Sequence, residues 1–265
     1  MVRLVLALMA SATLLPSFAN AADILEPLPV AEPVPDDYSG WYIRADAGYA
    51  FSSETDGSFR SYDAHTNQYG DDFRYSSIKL DDSYSVGAGV GYRFAEHFRT
   101  DLAVDYYNFD VKGSSACAYS YGGDCRFNDT SDADIWTAMA NAYVDLPYFG
   151  PITPYFGAGI GFANVSYGDM KNEVCSNVCG DPKNYVGVHQ GEDSWRFATA
   201  LMAGASIDLT HSLALDVGYR YTRIYDGDAF EFDATDKLAG ASGIQGKDNG
   251  FDLHTVRAGL RYSFF

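Results

Sequence analysis

The chain has 265 residues, is 47% apolar and carries a formal net charge of −18. That charge argues against nucleic acid or an anionic surface as a partner, because both demand clustered Lys and Arg. The length allows one or two soluble domains or a single mid-sized barrel.

The start reads as an export signal. Arg3 precedes the apolar run from Leu4 to Leu15, and Ala19-Asn20-Ala21 offers small residues for cleavage before Ala22, so residues 1–21 are expected to be a secretory signal peptide. No later stretch reaches the roughly 18 apolar residues of a spanning helix. Residues 22–39, with Pro27, Pro29, Pro33 and Pro35 among acidic and small side chains, are expected to form an extended periplasmic leader.

From residue 40 to residue 265 the pattern has a period of two. The first segment, Trp41–Ser52, places Trp41, Ile43, Ala45, Ala47, Tyr49 and Phe51 on one face and Arg44 and Asp46 on the other. Seven more segments follow: Ser83–Phe94, Phe98–Phe109, Asp134–Leu146, Thr153–Val165, Trp195–Leu209, Ser212–Thr222 and Phe251–Phe264. On the apolar faces the ends are aromatic and the middles small or aliphatic, as Tyr84, Ala88, Val90 and Tyr92 illustrate. A soluble core has no reason to sort residues by depth, whereas a lipid–water boundary has.

The connections alternate. Ala95-Glu96-His97, Pro147–Ile152 and Thr210-His211 are short, while Ser53–Asp82, Asn108–Ala133, Ser166–Ser194 and Arg223–Gly250 are long. Short periplasmic turns and long external loops define an outer-membrane barrel. The expected fold is therefore all-β: an eight-stranded antiparallel up-and-down transmembrane β-barrel with four long external loops and both termini in the periplasm.

The inward faces are expected to hold a polar set: Arg44, Asp46, Arg93, Arg99, Asp101, Asp105, Asp145, Arg196, Asp208, Asp216, Arg220, Arg257 and Arg261, with Asn141 among them. Arginine suits a confined interior where its planar fork bridges carboxylates. Gly87, Gly89, Gly91, Gly157, Gly159 and Gly161 also fall inward, leaving volume for the arginines opposite. Side chains fill an eight-stranded interior, so a stabilising plug is favoured over a gated small-solute pore.

Cys117 and Cys125 share one expected loop, and Cys175 and Cys179 another. In an exported protein they are disulfide candidates, local pairing being the simplest of the open connectivities. No metal or cofactor is expected: Asp226-Gly227-Asp228, Asp71-Asp72 and Asp81-Asp82 lack the full spacing of a calcium loop. The five histidines fall in turns and loops or, for His254, on the lipid side of the last strand, so no catalytic residue is assigned.

Tyr38-Ser39-Gly40-Trp41-Tyr42, Leu215-Asp216-Val217-Gly218-Tyr219-Arg220-Tyr221 and Val256-Arg257-Ala258-Gly259-Leu260-Arg261-Tyr262-Ser263-Phe264 resemble the small outer-membrane β-barrel family of alphaproteobacteria, the opacity-like and porin-like surface proteins of Brucella and Rhizobium relatives. That resemblance implies a monomeric barrel inserted by machinery that recognises an aromatic C-terminus. Phe264 fits the pattern, Phe265 is an extra residue of opposite strand phase, and either serves as insertion signal.

The expected function is structural and surface-interacting: envelope integrity and loop contact with a host or environmental ligand, in outer-membrane lipid beside lipopolysaccharide. A narrow gated porin-like channel is the alternative, and a lipid-modifying barrel enzyme a further one.

Overall fold

A computed structural model describes residues 39–63, 65–116, 126–175 and 186–264; the expected signal peptide and nearly all of the leader lie outside them. Among the described residues the elements, in chain order, are β1 (Gly40–Phe51), β2 (Ser53–Thr55), β3 (Gly57–Asp63), β4 (Gln68–Arg74), β5 (Ser77–Leu80), β6 (Ser83–Ala95), β7 (Phe98–Ala116) and β8 (Arg126–Asp145). The second half continues with β9 (Ile152–Tyr167), β10 (Met170–Cys175), β11 (Val186–His189), β12 (Asp193–Asp208), β13 (Leu213–Ile224), β14 (Gly227–Glu231), α1 (Ala234–Leu238), β15 (Ile244–Asp248) and β16 (Phe251–Phe264).

Eight of these strands, β1, β6, β7, β8, β9, β12, β13 and β16, coincide with the eight segments read from the sequence. Each pairs antiparallel with two others of the set. Followed neighbour to neighbour from β1 through β6, β7, β8, β9, β12, β13 and β16, the pairings return to β1. The first and last strands meet with Trp41 opposite Phe264 and Phe51 opposite His254.

The strand count exceeds the expected eight, because the long connections are themselves built of strands. β7 and β8 stay paired to Ala116 and Arg126, and β10 and β11 continue the sheet from β8. β2 and β5 extend it beyond β7, and β14, β15, β3 and β4 form a separate four-stranded sheet. The cause is visible along β7. Past Tyr107 the inward Phe109 and Val111 remain buried while the outward Asn108, Asp110 and Lys112 are exposed and polar. The period of two persists with water in place of lipid outside. A strand of about 9–11 residues crosses a bilayer, so the 19 residues of β7 stand well clear of it at one end.

The outer surface of the eight strands is graded by depth. At the end carrying the short turns it exposes Trp41, Phe94, Phe98, Tyr262 and Phe264 with Tyr92 half-buried among them, at the loop end Tyr84, Trp136, Trp195 and Tyr219 with Tyr49 and Tyr106 half-buried, and between them Val90, Leu102, Val104, Ile160, Leu201 and Leu260. Rings within each belt touch edge to face, Trp41 with Tyr92 at 5.3 Å and Tyr49 with Tyr84 at 5.5 Å. Exposed aliphatics between two aromatic girdles are what lipid contact requires. No helix among the described residues is long and apolar enough to cross a membrane.

Candidate functional site

The inward positions form two stacked layers. Toward the turn end lies an ion-pair lattice. Arg44 Nε is 3.1 Å from Asp101 Oδ2 and 3.6 Å from Asp46 Oδ2. Arg257 Nη2 bridges Asp46 at 2.8 Å and Asp105 at 3.1 Å, and Arg220 Nη1 donates to Asp105 Oδ2 at 2.5 Å. Below this group Asp145 takes Arg99 at 3.0 Å and Arg93 at 3.3 Å, and Asp216 takes Arg261 at 3.0 Å.

Several of these pairs join strands that are not neighbours. β13 carries Arg220 and pairs with β12 and β16, whereas β7 carries Asp105 and pairs with β6 and β8. The pairs are transverse struts. Uncharged partners complete the lattice: Asn141 Nδ2 donates to Asp101 Oδ1 at 2.7 Å, and the Tyr42 hydroxyl donates to the Thr100 carbonyl at 3.1 Å. The Arg99 guanidinium lies 4.3 Å from the Tyr143 ring centroid and 4.9 Å from that of Tyr155, a stacking arrangement open to arginine's flat, weakly hydrated cation.

The register explains how so many large polar groups fit. Asp105 faces Gly87 on the adjacent strand, and Asp46 faces Gly87 on one side and Gly259 on the other. A Cβ on Gly87 would stand 2.2 Å from Asp105 Oδ1, and one on Gly259 2.3 Å from Asp46 Oδ1. The expectation that inward glycines make room for arginines holds for Gly89, beside Arg44 Nε. At Gly87, Gly91, Gly157, Gly159 and Gly161 the space is used instead by Asp105, Tyr42, Tyr143, Asn141 and Met139.

Toward the loop end the interior is apolar, which the reading of a uniformly polar inner face missed. Ala50, Ile135, Met139, Ala163, Val165 and Leu253 join Phe109, Phe230 and Phe251 in one buried cluster. The signal was present in Ile135, Val165 and Leu253, inward positions near the loop ends of their segments.

Two residues of the expected interior set lie apart from the lattice. Arg196 pairs with Asp248 of β15 at 2.6 Å, and the Tyr167 hydroxyl donates to the same carboxylate at 2.9 Å. Asp248 was not anticipated, because its segment shows no alternation. Asp208 is exposed at the end of β12, and no ion pair among the described residues includes it.

The loop acids have local partners: Asp72 pairs with Arg60, Asp81 with Lys79 and Lys112, and Asp228 with Lys247. Cys175 is buried at the end of β10, while Cys117, Cys125 and Cys179 lie outside the described residues, as does Phe265. Phe264 ends β16 with its ring exposed in the turn-end girdle. His254 faces outward, hydrogen-bonded through Nδ1 to the Tyr219 hydroxyl. His189 is buried among loop strands, and burial lowers its pKa so that the ring is held neutral.

Above the apolar layer, outside the membrane-spanning part of the strands, lies a cavity of about 350 Å³ lined by Phe59, Tyr62, Tyr75, Phe127, Asp129 and His189, among others. Asp129 faces Gly113 of β7 and Asn172 of β10 in register. Asn172 Nδ2 donates to Asp129 Oδ1 at 2.5 Å. Burial pushes the Asp129 carboxyl up to about 6.

A family model described as the outer membrane protein beta-barrel domain matches residues 6–264. An uncharacterized protein of Brucella suis biovar 1 is 46% identical over 269 aligned residues, covering 94% of this chain and 93% of its own. A candidate adhesin of Rickettsia akari is 26% identical and covers 99% of each chain. Among solved structures, the outer membrane protein OprG of Pseudomonas aeruginosa superposes with a TM-score of 0.51 at 15% identity, covering 85% of this chain and 96% of that one. At that identity the likeness is one of fold.

Proposed function

The chain belongs to the outer membrane protein beta-barrel domain family and is an outer-membrane protein, and from that premise we propose that it is a closed, monomeric eight-stranded barrel that reinforces the envelope and presents a strand-built surface to a host or environmental ligand. The transverse lattice of arginines and aspartates carries this reading. Struts from wall to wall, topped by an apolar layer, make a solid interior rather than a conduit, in line with the interior volume of an eight-stranded barrel.

The long β7–β8 ribbon and the four-stranded sheet then face outward from the cell, with both chain ends and the short turns in the periplasm. The outward apparatus is ordered by its own packing. Phe59 stacks on Phe73 at 5.6 Å, and Tyr62 and Tyr69 both contact Phe232. Such a surface holds a fixed shape for recognition, and the candidate adhesins among the relatives point the same way. We assign it no catalytic role, since the arginines and aspartates of the lattice are engaged in ion pairs with one another.

The test separates the barrel from its surface. Removing the β3–β4 hairpin (57–74), or shortening the β7–β8 ribbon, should leave heat-modifiable gel migration intact and reduce adherence of bacteria displaying the protein to host-cell monolayers. If every such deletion folds and none changes adherence, the surface role is lost. Discrete, reproducible openings of the intact protein in a planar bilayer would instead establish a pore.

A further inference from the structure

The wall of the cavity above the apolar layer includes a carboxylate that no cation among the described residues pairs with. Asp129 is only 4% exposed, and while its Oδ1 is satisfied by Asn172, its Oδ2 is buried with no hydrogen-bond partner. No ion pair among the described residues includes Asp129. A buried, unpaired carboxylate is costly to maintain, and Asp129 lines the cavity wall.

The remaining wall defines what fits. Asp233 and Asp236 add two more acids, no lysine or arginine among the described residues lines the cavity, and burial lowers the His189 pKa. Phe59, Tyr62, Tyr75 and Phe127 supply aromatic surface, and Met170 and Val174 apolar surface. Aromatic faces attract cations, and an acid excess favours positive charge. No group of three or more His, Cys, Asp or Glu among the described residues is clustered to hold a metal ion. The volume lies within the range of small-molecule pockets.

We propose that this cavity is a binding site for a small organic ammonium ion with an apolar or aromatic body, its charge set beside the unpaired Asp129 carboxylate and its body lying against Phe59, Tyr75 and Phe127. The site is a second function of the barrel, independent of adherence by the outer surface.

The test uses the full mature chain refolded in a maltoside detergent, whose headgroup carries no ammonium to compete. Benzylammonium and benzyl alcohol, near-isosteres that differ in charge, are titrated at neutral pH by calorimetry or saturation-transfer NMR. Benzylammonium should bind saturably and at least tenfold more tightly than benzyl alcohol. Asp129→Asn should weaken benzylammonium at least tenfold and leave benzyl alcohol within about twofold. Gln245→Lys, which places a cation at the cavity edge, should also weaken benzylammonium and serves if Asp129→Asn fails to fold. Equal affinity for the two probes, no saturable binding of benzylammonium, or unchanged binding in a folded Asp129→Asn variant each overturns the proposal. Wild-type protein alone decides the first two outcomes.

Discussion

Arg220 and Asp105 are 115 residues apart in sequence and 2.5 Å apart in space, and the strands that carry them do not pair. Their bond spans the interior, and Arg257 meets the same carboxylate from β16. Asp105 is the shared anchor of two arginines.

Removing the anchor should therefore cost more than removing one strut. Asp105→Asn leaves Arg220 without a carboxylate and takes one of two from Arg257, which keeps Asp46, and is expected to destabilise by about 3–5 kcal/mol, the usual cost of breaking a buried pair. Arg220→Met leaves Asp105 held by Arg257 and should cost clearly less. Urea unfolding of both variants in lipid vesicles gives the order. Equal costs would mean that the Arg257 contact adds nothing at Asp105.

Filling the space opposite an acid should be as damaging as deleting it. Gly87→Ala puts a methyl group 2.2 Å from Asp105 Oδ1 and must displace the carboxylate or the strand, at about 1–3 kcal/mol. Gly150→Ala is the control for side-chain space, since a Cβ there meets nothing within 4 Å. Gly150 has φ +66, so any cost at that turn is backbone strain alone. The thermal midpoint of heat-modifiable migration separates the variants.

The outer face should respond by depth. Leu102→Arg, in the middle of the apolar band, is expected to cost about 2–4 kcal/mol in a bilayer. Asp110→Arg, outward on the same strand but beyond the aromatic girdle, should stay within about 0.5 kcal/mol. Folding titrations into phosphatidylcholine vesicles measure both. Similar costs would remove the membrane boundary from between them.

Asp129 gives a pH dependence of definite sign. Its carboxyl is raised from 3.8 to about 6 by burial, so the folded state binds more protons than the unfolded state between those values. Stability must fall as pH rises through that window and level off above it. The loss is on the order of 2–3 kcal/mol. Asp129→Asn should abolish this slope and be more stable than the parent at pH 7, read as the difference in thermal midpoint between pH 4 and pH 7. A parent that gains stability across the window contradicts the assignment.

What could be read from the sequence follows from where solvent changes. Each membrane crossing was legible because lipid outside and polar contacts inside give unlike neighbours to alternate residues, as at Arg44 and Ala45. The continuation of β7 was not. There Asp110 and Lys112 face water while Phe109 and Val111 face the interior, an inverted pattern that reads as loop when strands are sought by their apolar outer face. The lattice acids and arginines were legible as a set, whereas their pairing was not, because a strut such as Arg220–Asp105 depends on bringing together strands distant in sequence, which no local pattern encodes. Arg196 illustrates the limit. Its partner Asp248 lies in a short strand of mixed composition, and only the fold brings them together.

The seam between β1 and β16 joins the first strand among the described residues to the last, with Trp41 beside Phe264. A ribosome must release the final residues before that seam can form, and a chain cut short anywhere before Phe251 would present two bare strand edges and an interior open on one side. Exposed edges invite aggregation and proteolysis. The pairing thus leaves neither β1 nor β13 with a bare margin once β16 is in place.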